Sequence, residues 1–419
     1  MSIPIVPHVT SEIGDIEAVI LHTPGPEVEN MTPGNAERAL YSDILNLPVA
    51  IEEYHQLSSV LEKLTQTFQV KDLLSEILID PLVKTSLIER ICTTEKVLNI
   101  KEDLLALNNK ELAIQLIEGV ALKRDSLTTF LSDERYALRP LHNFFFTRDA
   151  SVTVYNEVMI SKMANKVRER ESIIMEAIFE HSPHFKTTTI SPMNTWHIGN
   201  ETFIEGGDIL IAREDILVVG NGARTSAQGI DFLADQMKRQ RGKKHIIVQQ
   251  LPTSPESFIH LDMIFTLLDK DTCMVYEPMI VQENNYVTIL MTIENGNVTK
   301  ISRQSGILEA LSSLGMDLEP VPCGGKDQWQ QEREQWHSGA NFFAIGPGKL
   351  MGYARNVHTL EVLNNVNFEI IKAADVISGK VNLENYNKYV VTIEGSELPR
   401  GGGGTRCMTM PVRRKNVKW

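Results

Sequence analysis

A recurring pattern constrains this chain more than any other feature. A short polar or glycine-bearing segment is followed by an apolar run, a turn, and a second apolar run. It is clearest at 205–220 (EGGDILIAREDILVVG), where Arg213, Glu214 and Asp215 make the turn. It recurs at 143–154 (NFFFTRDASVTV), at 260–276 (HLDMIFTLLDKDTCMVY) and at 339–353 (GANFFAIGPGKLMGY). A last instance begins at the glycine run 401–404 and CMTMPV, and 19–23 fits the same series. Short apolar runs bounded by turn residues read as buried strands. Each hairpin is followed by helix-patterned sequence, as at 168–179, 229–239, 307–314 and 360–363. One such unit cannot bury its own faces, so neighbouring units must cover one another. The expectation is an α/β chain built from repeated hairpin–helix units.

One block departs from the pattern. From Asp72 to Asp125 the apolar residues keep helical spacing: Leu73, Leu74, Ile77 and Leu78, then Leu87, Ile88 and Ile91. Asn108 followed by Glu111 has the form of a capping box ahead of Leu112, Leu116, Ile117 and Val120. The expected division is a first repeat-built part at 1–71, a helical insertion at 72–128 and the remaining repeats, with the catalytic groups, at 129–419.

Charge and cysteine usage exclude several classes. A formal net charge of -13 argues against a nucleic-acid partner and favours a cationic small ligand. The four cysteines, Cys92, Cys273, Cys323 and Cys407, have neither zinc spacing nor a disulfide framework; no metal is expected, and no cofactor is expected either. No run approaches the ~18 apolar residues of a membrane helix, and the start of the chain lacks the basic segment of a secretion signal. These features set the expectation of a cytoplasmic enzyme with no membrane partner.

The polar residues at the unit starts carry the chemistry. They are Asp149, Glu205 with Asp208, His260 with Asp262, Asn341 and Cys407. Any one carboxylate could be a turn or cap residue, and Cys407 after a glycine run could be a buried thiol behind a linker. Equivalent places in a repeated unit gather at one end of an axis, however, and would form one site. A cysteine with a histidine supports nucleophilic catalysis. Surrounding carboxylates would repel the oxyanion of acyl transfer, whereas paired carboxylates match a planar guanidinium and hold it aligned. A bound cation also favours the thiolate. The residues point to nucleophilic displacement at a guanidino carbon.

FTRD (146–149), EGGD (205–208), HLD (260–262), REQW-SGAN (333–341) and RCMTMP (406–411) resemble the corresponding segments of arginine deiminase. The resemblance spans nearly the whole chain and implies the pentein fold: a five-fold pseudosymmetric α/β propeller, here with a helical insertion. It implies that Cys407 attacks the guanidino carbon to form a covalent amidino-thioether as ammonia leaves. His260 would protonate the ammonia and then activate water. Glu205 would assist proton transfer, and Asp149 and Asp262 would grip the guanidinium. Asn143, Arg168 and Arg224 match positions that hold the substrate's carboxylate and amine. Asp208 and Gly402 join the expected binding set. The substrate implied is L-arginine, and the assembly a homodimer or higher homo-oligomer. The chain departs from the pattern at Gly402, where some members carry an arginine that reaches the substrate carboxylate, and at Arg406, where some have histidine.

Three other readings compete. An amidinotransferase, or a deiminase of agmatine or methylarginine, would share the fold; Arg168 and Arg224 discriminate, because a decarboxylated substrate has no use for them. Cys407 and Arg413 have the C-x5-R spacing of phosphatase loops, but Pro411 removes a backbone N–H such a loop needs. A non-catalytic scaffold would not need the Cys, His and acids together.

Overall fold

The N- and C-terminal strands pair with each other. In the computed structural model, which describes residues 3–32, 36–41, 43–194 and 201–419, Met410–Arg414 runs antiparallel to Ile16–Leu21, whose other edge takes Gln66–Gln69 in parallel. The same scheme of a hairpin plus a parallel third strand recurs along the chain. Ser151–Val154 and Glu157–Ile160 pair with Thr189–Ile190. Ile209–Arg213 and Ile216–Asn221 pair with Lys244–Gln250. Phe265–Leu267 and Thr272–Val275 pair with Glu319–Pro322. Phe343–Gly346 and Lys349–Tyr353 pair with Tyr389–Ile393. Parallel neighbours need a crossover, and the helices Leu47–Leu64, Glu169–His181, Ala227–Met237, Ile307–Ser313 and Val357–Asn365 each lie on one. Among the described residues no sheet closes into a barrel.

The apolar runs are continuous because these strands are covered on both faces. In the sheet around Ile216–Asn221, alternate residues go to two different cores. Leu210, Ala212, Val218 and Ile247 join one, and Ile209, Ile211, Leu217, Val219 and Ile246 the other. That is the period-two geometry of a strand. The helices start where the sequence offers caps: the Ser226 side chain accepts from the Gly229 amide at 3.1 Å, and Asn108 from the Glu111 amide at 3.0 Å.

Residues 72–128 contain the helices Pro81–Glu95 and Asn109–Glu118, with Val70–Ile77 leading in. Their stripe (Leu73, Leu74, Ile88, Leu116) packs in one core with Ile173, Ile174 and Ile178 of the helix Glu169–His181. Two ion pairs cross the same contact, Arg90–Glu176 at 2.5 Å and Arg170–Glu95 at 3.3 Å. The helical block therefore leans on the helix that follows Arg168. Among the described residues, no helix is long and apolar enough to cross a membrane.

Candidate active site

One local device places each chemical group. Asp149 lies in the short turn Thr147–Ala150, immediately before the strand Ser151–Val154. Glu205 precedes the turn Gly206–Asp208, and His260 the turn Leu261–Met263, each just ahead of its strand. Cys407 occupies the corresponding place before Met410–Arg414. The turns pack tightly: a Cβ on Gly207 would lie 2.6 Å from the His260 ring and 3.0 Å from Asp149 Oδ1. Only glycine lets the EGGD turn approach that ring.

The groups meet out of solvent. Cys407, His260, Asp149, Glu205 and Asp262 are all buried. Cys407 Sγ lies 3.6 Å from Asp262 Oδ2 and 3.2 Å from Asn341 Nδ2. His260 Nε2 is 3.0 Å from Glu205 Oε2, and its Nδ1 is 3.7 Å from Asp149 Oδ1. Burial disfavours a charged imidazole, but Asp149 and the Glu205 hydrogen bond outweigh it and raise the His260 pKa to about 9. Burial likewise works against the Glu205 carboxylate, yet Arg224 and His260 hold its pKa down to about 2. Burial pushes the Cys407 thiol well above its ordinary range, and Asp262 and Asp149 add to the effect. Without a cationic ligand this sulfur is held as a thiol.

Both acids that flank the sulfur are gripped from behind by an arginine of the protein. Arg168 Nη1 donates to Asp149 Oδ2 at 2.7 Å, and Arg406 Nη1 to Asp262 Oδ2 at 2.7 Å. Each arginine is held in turn by a second carboxylate. Glu171 takes Arg168 at 2.8 Å through Nη2, and Glu12 takes Arg406 through Nε at 3.0 Å and Nη2 at 3.1 Å. Asp149 Oδ1 is left buried without a hydrogen-bond partner. The Arg168 clamp fixes one oxygen of Asp149 and leaves the other open, while the Arg406 clamp holds Asp262 with both of its oxygens within 4 Å of the sulfur; paired carboxylates so held suit a planar cation. Asp149, Glu205 and His260 also bring ligand atoms within 4.8 Å of one another, a negative focus that suits a cation.

Asn143, Asp149, Arg168, Arg224, His260 and Cys407 line one cleft. Asn143 Nδ2 donates to the Ala39 carbonyl at 2.8 Å. Arg224 Nη1 is 3.7 Å from Glu205 Oε1 and is buried without a hydrogen-bond partner, so it retains a free donor. Gly402 lines the cleft in a left-handed conformation, φ 85°, with no atom within 4 Å of where a Cβ would stand. Arg400 beside it is paired with Asp43 and Glu397. Asp208 stands off the cleft wall; its Oδ1 accepts from the Leu261 amide at 2.9 Å and so fixes the turn behind His260, while burial raises its pKa to about 7. Arg168 also differs from its expected place, since its guanidinium is engaged by Asp149 and Glu171 rather than turned to a carboxylate site. Arg413 is paired with Glu17 at 2.9 Å on the strand after Cys407, so no anion loop forms around the thiol.

Sequence reasoning missed Glu12, Glu171 and the clamping role of Arg406. Glu171 sits one helical step from Arg168, a spacing that could have marked it. Glu12 lies outside every motif. Asn341 stood at a unit start, but its bonds to the Cys407 and Arg406 amides, through Oδ1 at 3.3 and 3.0 Å, depend on tertiary contact.

A family model described as arginine deiminase matches residues 37–414. The chain belongs to the arginine deiminase family. Curated family members support this across the full length. An arginine deiminase from Bacillus cereus is 33% identical, covering 98% of this chain and 99% of its own. One from Borrelia garinii is 32% identical, covering 98% of each. Among solved structures, the N-terminal domain of ArgZ, an arginine dihydrolase from cyanobacteria, aligns with TM-score 0.53 at 13% identity over 96% of this chain and 99% of that one. A dimethylarginine dimethylaminohydrolase adduct aligns with TM-score 0.50 at 13% identity over 94% and 99%. At that identity the likeness establishes the fold alone: the family chain shares the α/β architecture of these pentein-type proteins.

Proposed function

We propose that this family member hydrolyses L-arginine to L-citrulline and ammonia. The observation that carries this reading is the convergence of Cys407, Asp149 and His260 on one cleft, with Asp262 against the sulfur and Glu205 against the imidazole. The substrate guanidinium is held by Asp149 and Asp262. Its charge reverses the local field, so the Cys407 proton passes to solvent as the substrate enters, to be replaced from the protonated product when the carbon–sulfur bond later breaks, and the thiolate attacks the guanidino carbon. The C–N bond breaks as His260, an imidazolium, gives its proton to the departing ammonia. Glu205 holds that imidazolium in place. The neutral His260 then takes a proton from water, and the hydroxide so formed attacks the amidino carbon. Carbon–sulfur cleavage releases citrulline and restores the sulfur. Arg224 and Asn143 receive the carboxylate end of the substrate, with Arg168 serving first to hold Asp149.

Around this site the five hairpin-plus-parallel-strand sheets are arranged as a five-fold propeller, and 72–128 forms the helical insertion between 1–71 and 129–419. The shared position of the catalytic turns supports that arrangement. The enzyme needs no cofactor and assembles as a homo-oligomer. The decisive experiment is mass spectrometry of products from arginine, agmatine and methylarginine. Citrulline from arginine, with at most traces from the others, is the expected result; equal turnover of agmatine would overturn the substrate assignment.

Two predictions follow from the electrostatics. His260 must be protonated to serve as acid, and its pKa is raised, so kcat/KM should hold through neutral pH and fall as pH rises through about 9. A profile that instead rises through about 6.5, the ordinary histidine value, would contradict an imidazolium acid. Arg224→Ala removes a guanidinium that lines the cleft with an unfilled donor. KM for arginine should rise roughly tenfold or more above the change for agmatine; equal changes would mean that Arg224 does not meet the carboxylate.

A further inference from the structure

A second cavity, of about 120 Å3, opens between the helical block and the start of the helix Glu169–His181. On a chain of net charge -13 its lining is conspicuously cationic: Arg38, Arg139, Lys166 and Arg170, with Glu95 as the one lining acid. Arg170 is 1% exposed, yet its Nε and Nη1 have no hydrogen-bond partner. Nη1 has only the ion pair to Glu95 at 3.3 Å, and Nη2 donates to the Arg139 carbonyl. Arg38 and Arg139 share a single carboxylate, Glu134, at 3.1 and 2.8 Å. Lys166 is exposed where it lines the cavity. A buried guanidinium with open donors costs free energy unless something accepts from it.

We propose that this cavity is a binding site for a phosphoryl-type oxyanion, with Arg170 at its base and Lys166, Arg139 and Arg38 around its exposed rim. Arg170 offers the planar donor pair and Lys166 the mobile point charge that such a dianion uses. The volume takes a phosphoryl group and leaves any attached organic part outside. The wall shared with the catalytic cleft is Asn143, and Arg170 lies two residues beyond Arg168, the clamp on Asp149. An anion drawn onto Arg170 therefore bears on the cleft from behind, and on the ion pair through which Glu95 ties the helical block to this helix.

The test is titration of the full chain with inorganic phosphate, and separately with adenosine monophosphate, by calorimetry at constant ionic strength. Saturable binding in the millimolar range or tighter is expected. It should weaken about tenfold or more in the rim variant Lys166→Gln/Arg139→Gln, which leaves the buried base intact. Tighter binding of the ester assigns the site to phosphorylated metabolites, and tighter binding of inorganic phosphate assigns it to the free ion; either supports the oxyanion site. Arg170→Lys, which keeps the buried charge but loses the fork, should weaken binding further, and its thermal midpoint is read alongside so that a loss of folding is distinguished from a loss of binding. Binding that the rim variant leaves unchanged, binding that arginine displaces competitively, or no heat up to about 10 mM phosphate would overturn the proposal. Because binding is read without turnover, its failure would leave the deiminase reading standing.

Discussion

Cys407→Ser is expected to abolish citrulline formation, by on the order of four decades or more, while leaving the thermal midpoint nearly unchanged. The substitution is close to isosteric. The Asn341 contacts to the 406 and 407 amides are to backbone and persist. What changes is acidity. Even the thiol is held protonated by burial and by Asp262 and Asp149 until a cation arrives. A serine hydroxyl starts several pKa units higher, and a guanidinium neighbour does not bridge that gap. Arginine should still bind, with a dissociation constant near the wild-type KM, and no covalent mass adduct should form. The same logic extends to alkylation: Cys407 in the free enzyme should react slowly with iodoacetamide at neutral pH. Turnover within about tenfold of wild type would remove Cys407 from the role of nucleophile.

Asp149→Asn should cost nearly as much. Asp149 faces three positive groups: Arg168 at 2.7 Å, His260 at 3.7 Å and the incoming guanidinium. Removing one partner of a buried charge set typically costs ~3–5 kcal/mol, roughly two to four decades in kcat/KM. The loss has a second signature. After burial itself, Asp149 is the largest influence on His260 and acts to keep it protonated. Without it the His260 pKa falls, so the alkaline limb of the pH profile should move to lower pH. A structural role alone would lower activity without moving that limb. A loss of tenfold or less, or a pH profile unchanged in shape, would place Asp149 outside the reaction.

The repeated unit was legible because its physics is local. Strand pairs such as Ile209–Arg213 with Ile216–Asn221 need only apolar runs and a turn between them, and both are written in consecutive residues. The helical block was legible from its spacing for the same reason. The grouping of polar side chains was legible in part, since Asp149, Glu205, His260 and Cys407 each stand at the same point of a repeated motif, and Asp149, His260 and Cys407 line one cleft with Glu205 against the imidazole. The clamps were not. Glu12 and Arg406 are 394 residues apart along the chain and meet only because the terminal strands pair. No periodicity announces that.

Arg168 illustrates the limit most sharply. Its position after FTRD marked it as a cleft residue, and it lines the cleft. Whether its guanidinium faces a ligand or a carboxylate of the protein depends on Glu171 and Asp149 converging on it within 3 Å or so, a question of three-dimensional competition. The order of amino acids alone determined the repeating α/β units, the helical block and the inventory of chemical groups, because short-range pattern dictates those. Tertiary structure alone decided which oxygen of Asp149 is free, which arginines are already engaged, and that burial and two carboxylates hold the sulfur toward its protonated form. Those properties depend on burial and on charges brought together from distant segments.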